Sequence, residues 1–186
     1  MLTLIRIELF KILSRPRSYI GFVAITVIVS LIQLALYADG KNYWDFLIQS
    51  LDESFKIDGL SFNGNMVCFI VLQTLIIQMP LLVALVSGDS ISGEAAAGTL
   101  RSLLTRPVSR SKILLSKIIA CEIYTFLLIL WLGVLAWWGS LLYFGAGDLV
   151  VLKSESLTVI RSADTSWRFI AAFGIAFLSL SVVVAV

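Results

Sequence analysis

Between Tyr19 and Tyr37 the chain runs for 19 residues, YIGFVAITVIVSLIQLALY, without a single charge. Crossing about 30 Å of hydrocarbon takes about 20 mostly apolar residues in a helix, so a run of this kind is a membrane span before it is anything else. Three more runs follow. Met66 to Val86 carries only Gln73, Gln78 and Pro80 against the apolar pattern. Ile118 to Phe144 is long enough to tilt or to continue beyond the lipid, and it ends in Trp131, Trp137, Trp138, Tyr143 and Phe144, part of which suits an interfacial aromatic belt. Phe169 to Val186 stops with no polar flank, which leads to the expectation that the natural chain continues. The expected fold is all-α: a polytopic transmembrane helical bundle with spans at about 19–37, 66–86, 118–144 and 169–186, forming one domain over 1–186.

Composition excludes the soluble alternative. Of 186 residues, 59% are hydrophobic and 14% charged, against about 45–50% and about 25% in ordinary soluble domains. A soluble core of this length cannot hide that much apolar surface. The formal charge of +2 gives no basic surface for nucleic acid, and histidine is absent, removing the commonest metal ligand and general base. Cys68 and Cys121 both fall inside apolar runs and read as two inert thiols rather than a disulfide framework. A secretory signal peptide would be shorter than the first run and followed by a small-x-small cleavage site.

Loop charges orient the spans. Arg6, Lys11, Arg15 and Arg17 precede the first one, against Glu8, and the segment between the second and third carries Arg101, Arg106, Arg110, Lys112 and Lys117 against Asp89 and Glu94. The loop from Ala38 to Asn65 holds Lys41 and Lys56 among five acids, and the loop from Gly145 to Arg168 is mixed. Basic loops favour the cytoplasmic side. The N-terminus and the middle segment are therefore expected inside, in a multi-pass protein of the cytoplasmic (inner) membrane.

Two segments outside the spans are informative. Residues 1–17, MLTLIRIELFKILSRPR, are amphipathic at helical spacing, with Leu2, Ile5, Leu9, Ile12 and Leu13 on one face and Thr3, Glu8, Lys11, Ser14 and Arg15 on the other. The expectation is an interfacial helix with its basic face toward anionic headgroups, ended by Pro16. A generic basic anchor before a span fits equally well.

The middle segment, 87–117, reads as a helix capped by Ser90 or Ser92 with Glu94 in its first turn. Ala96, Ala97, Leu100, Leu103 and Leu104 make an apolar stripe, Pro107 stops the helix, and Ser109 caps the next. Such a stripe either meets a protein partner or packs on its own bundle. The glycine spacing of Gly88 and Gly93 imitates a phosphate-binding loop, but Glu94 and Ala95 stand where Lys and Ser/Thr must follow. A carboxylate there repels phosphate.

Asp89, Glu94, Gly98-Thr99-Leu100, Leu103-Leu104, Pro107-Val108-Ser109-Arg110, Ile113 and Lys117 resemble the cytoplasmic signature of the type-2 ABC transporter permeases, in particular the small bacterial branch encoded apart from its ATPase. Glu8, Lys11, Arg15 and Pro16 are similar to the interfacial elbow helix of that family. The resemblance covers the chain from Met1 to about the third span. It implies an ATPase-docking coupling helix formed by Glu94, Ala97, Gly98, Thr99, Leu100, Leu103, Leu104, Pro107 and Arg110, six spans in all, and a second permease copy as partner. It also implies a separate cytoplasmic ABC ATPase subunit that carries ATP and Mg, with no cofactor, metal or catalytic residue on this chain.

Polar residues inside the spans add Gln33, Gln73, Gln78 and Glu122 as candidates for a translocation path. The glutamines serve equally as hydrogen-bond links between helices, and Glu122 could pair with Lys117. The functional expectation is the permease of an ATP-driven exporter. The rivals are a membrane scaffold that does not transport and an intramembrane enzyme, which the absence of histidine and of paired intramembrane carboxylates disfavours.

Overall fold

The structure, a computed structural model, describes residues 1–51, 63–96, 98, 109–153 and 156–185. It is a helical bundle of the expected class. Helix α1 spans Leu2–Ser14 and α2 spans Pro16–Leu51. Arg15, between them, is extended at φ −85° and ψ 131°. A residue before proline is pushed out of the helical region, and proline suits the first helical position because its missing N–H has no partner there anyway. One dipeptide thus ends one helix and starts the next.

Helix α3 spans Gly64–Leu75 and α4 spans Gln78–Ala96, with a turn at residues 76–77 between them. Pro80 accounts for the break. It lacks the N–H that would reach the carbonyl four residues back, and its ring collides with that carbonyl; the residue concerned is Ile76, where the helix opens into a turn. Helix α5, Arg110–Gly133, passes through a π-helical stretch, Val134–Trp138, into the short α6, Gly139–Phe144. Helix α7 spans Ser162–Ala185. Three helical stretches are long and apolar enough to cross a bilayer, Pro16–Gly40, Ser111–Phe144 and Asp164–Ala185, and the broken α3–α4 pair brings the number to as many as four.

The loop before α7 adds something unforeseen. Strands β1, Leu149–Lys153, and β2, Ser156–Ile160, pair antiparallel with Leu149 opposite Ile160 and Lys153 opposite Ser156. Their Val, Thr and Ile content favours a pleated conformation.

The chain divides into two units: 1–24 with 76–131 and 174–186, and 25–75 with 132–173. In the first, the Tyr124 side chain is buried, and Phe22 meets it edge-on with ring centres 5.7 Å apart. Phe126 meets Phe177 of α7 in the same way at 5.8 Å. In the second, the N-terminus of α3 is held by the loop after α6. Asn63 and Asn65 donate to the carbonyls of Asp148 and Gly147, both at 2.7 Å, and the Gly64 N–H donates to the Gly145 carbonyl at 2.9 Å. A side chain on Gly64 would lie 2.6 Å from two backbone oxygens, so only glycine permits this approach. Tyr37 packs edge-on against Tyr143 and Phe144, and Tyr37, Trp138 and Tyr143 stay exposed, as residues of an interfacial belt do.

Candidate functional site

The first unit holds a closed ring of four charges. Lys11 Nζ lies 2.9 Å from Glu8 Oε1 and 3.0 Å from Glu94 Oε1. Lys117 Nζ lies 3.0 Å from Glu8 Oε2 and 2.9 Å from Glu94 Oε2. Each carboxylate bridges both ammonium groups. Lys117 also donates to the Ser90 carbonyl at 3.0 Å, so its three donors all meet oxygen. Glu8, Glu94 and Lys117 are buried. Ions out of water are tolerated when paired, and here every ion touches two of opposite sign. At Lys11 burial works against the charge. The hydrogen bonds and charges of Glu8 and Glu94 outweigh it and hold the ammonium above the ordinary lysine pKa.

Helix periodicity brings these groups together. Glu8 and Lys11 are three residues apart on α1 and therefore neighbours on its surface. Glu94 comes from the last turn of α4, and Lys117 from the second turn of α5. Beside the ring, Asp89 accepts from Arg15 at 2.8 Å and from Arg17 at 3.1 Å. Ser18 closes the corner between α1 and α2. Its hydroxyl donates to the Ile12 carbonyl, and its own carbonyl accepts from the buried Tyr124 hydroxyl at 2.8 Å.

Several expectations need correction. Of the anticipated polar face of α1, Glu8 turns inward, while Arg6 and Arg17 stay exposed. Glu8 is buried and Lys11 and Arg15 are partly covered, while Leu2 (84% exposed), Phe10 (72%) and Ile7 (48%) face out. Glu94 does not begin a new helix. Helix α4 runs unbroken through Ser90 and Ser92, and the Ser92 hydroxyl donates to the Gly88 carbonyl one turn back instead of capping. Glu94 thus stands at a helix C-terminus, where the macrodipole disfavours an acid, and the two lysines supply the compensation. Gly88 and Gly93 lie inside this helix, not in a phosphate-cradling loop.

Gly98 has φ +70°, a conformation glycine adopts freely, and donates its N–H to the Ala95 carbonyl as the chain leaves α4. Ala97, Thr99, Leu100, Leu103, Leu104 and Pro107 lie outside the described residues. Ser109 precedes α5, its carbonyl accepting from Lys112 and Ile113, and Arg110 is the first residue of that helix.

Of the intramembrane candidates, Gln33 is buried and donates to the Leu135 carbonyl in the π-helical stretch at 3.0 Å and to the Ser140 hydroxyl at 3.2 Å. It links helices. Gln73 and Gln78 are exposed. Glu122 is half-buried, and its Oε2 makes no hydrogen bond among the described residues. It does not take up Lys117, whose donors go to Glu8, Ser90 and Glu94. Cys68 and Cys121 are free and buried. Among the described residues no group of three or more Cys, Asp or Glu side chains is placed to hold a metal.

Sequence reasoning placed Asp89 and Lys117 in the signature segment without assigning them partners here, and left Arg17, Ser90 and Tyr124 out of the site. The available signal was charge in the wrong place: a lysine at the threshold of an apolar run needs an acid nearby.

A family model matches residues 23–186, and its description is a protein of unknown function, DUF2705. The chain belongs to that family. The DUF2705 match includes Asp89, Glu94 and Lys117 and begins beyond Glu8, Lys11 and Arg15. No curated protein and no solved structure matches the chain.

Proposed function

We propose that this chain is the membrane subunit of a type-2 ABC transporter, exporting a substrate across the cytoplasmic membrane with ATP hydrolysed on a separate subunit. The observation that supports this best is the four-ion ring. It ties the last turn of α4 and the second turn of α5 to the same interfacial helix, so the segment 97–108 leaves from and returns to one braced frame. A segment braced at both ends transmits a push to the spans behind it, which is what a coupling segment must do. In this reading the N-terminus and residues 87–117 are cytoplasmic, the docking face is Ala97, Leu100, Leu103 and Leu104, and two copies of the chain assemble with two ATPases.

The test is Leu103→Asp. An unpaired charge seated in an apolar groove costs several kcal/mol, so pull-down from solubilised membranes should lose the ATPase at unchanged permease level. Arg101→Ala, off the stripe, serves as control. Normal recovery of the ATPase with Leu103→Asp would withdraw the docking assignment. Substrate movement in vesicles with the ATPase present separates an exporter from a scaffold built on the same contact.

A further inference from the structure

Where α1 hands over to α2, the first unit carries a shallow indentation of about 10 Å³, room for about one water, whose rim includes Ile12, Arg15, Arg17, Leu85 and Asp89. Two features set it apart from a generic basic surface. Its cations are held in place: Arg15 and Arg17 each give one Nη1 to Asp89, and their remaining N–H groups make no hydrogen bond among the described residues. One carboxylate between two guanidiniums leaves a net positive charge with donors to spare. Its apolar part continues along the helices. Leu85 and Leu81 lie one and two turns before Asp89 on α4, Ile20 lies one turn past Arg17 on α2, and all three are exposed, at 43%, 67% and 51%.

We propose that this surface binds an anionic phospholipid, its phosphate on the exposed donors of Arg15 and Arg17 and an acyl chain lying over Leu85, Leu81 and Ile20. Charge complementarity identifies the headgroup, because a planar guanidinium donates to phosphate in a fork that a zwitterionic choline headgroup offsets with its own cation. The apolar column identifies the rest of the ligand, since a free phosphate has no use for exposed leucines below its site. Asp89 keeps the two arginines together and leaves them short of neutrality. The site stands whether or not the chain is a permease, and its test needs no ATPase.

The experiment is native mass spectrometry of the purified full chain in detergent, offered dioleoylphosphatidylglycerol or dioleoylphosphatidylcholine. One basic residue near a headgroup is worth about fivefold in binding. The anionic lipid should therefore be retained about fivefold better than the zwitterionic one, and Arg17→Gln should remove most of that preference. Arg17 is 70% exposed, so its replacement leaves the fold intact. Leu85→Gln should weaken retention of the anionic lipid as well, while Lys112→Gln, an exposed basic site elsewhere at the same end of α5, should not. Undiminished preference in Arg17→Gln overturns the proposal. So does equal loss in Lys112→Gln, which would mean diffuse attraction, or displacement by millimolar inorganic phosphate with Leu85→Gln silent, which would mean an anion site without a lipid.

Discussion

Lys117 Nζ and Glu94 Oε2 stand 2.9 Å apart, and each side chain is 5% exposed. Twenty-three residues separate them in sequence, from the last turn of one helix to the second turn of the next. Breaking a lone buried pair by removing one partner costs about 3–5 kcal/mol, because the other ion is left uncompensated. Here Glu8 still meets Lys117 and Lys11 still meets Glu94, so Glu94→Gln and Lys117→Met should each lower the unfolding free energy of the purified protein in detergent by less than that. The double replacement Glu94→Gln/Lys117→Met leaves Glu8 and Lys11 paired with each other and should be milder than the sum of the singles by about 0.5–3 kcal/mol. Additive losses would mean the contact carries no coupling.

Tyr124→Phe deletes only the hydroxyl that reaches the Ser18 carbonyl. A link of this kind inside a membrane bundle is worth about 1 kcal/mol. The expected result is a loss of that size in thermal or denaturant unfolding, with the aromatic contact to Phe22 retained. A variant as stable as the parent would show that the Ser18 carbonyl finds another donor.

The three intramembrane glutamines should behave differently. Gln33→Leu removes two hydrogen bonds and orphans the partners, at a cost of about 1–3 kcal/mol. Gln73→Leu and Gln78→Leu, at exposed positions, should stay within about 0.5 kcal/mol of the parent. Comparable losses at all three sites would contradict the difference in their surroundings.

Topology offers a further measurement. Single cysteines introduced at residue 106 and near the N-terminus, in a background lacking Cys68 and Cys121, should resist a membrane-impermeant thiol reagent applied to intact cells. A cysteine at Asp52 should react. Labelling of position 106 from outside would reverse the orientation and remove the basis for a cytoplasmic ATPase contact.

Much of this architecture was legible in the sequence because a bilayer imposes a simple length rule. Apolar runs became helices, and Pro16 separated two of them; the break before Pro80 was not anticipated. The side chains of the ring were harder. Glu94 sits among glycines and serines that imitate a helix start, and only tertiary contact with Lys11, 83 residues away, shows that the helix is ending instead. The inward turn of Glu8 was missed for a related reason. An amphipathic pattern gives two faces and does not say which one meets lipid and which meets protein. Hairpin β1–β2 escaped notice because LVVLK and SLTVI are short and sit in a loop of mixed charge beside much louder apolar signals.

The ring of Glu8, Lys11, Glu94 and Lys117 has as many contacts as members, and this shapes how it yields under load. Opening any one contact leaves every ion still touching an opposite charge. A lone salt bridge fails all at once, stranding two bare charges. Here a first displacement strands none, and only a second rupture at the same ion leaves it bare. The ring is thus a joint with a built-in spare at every member.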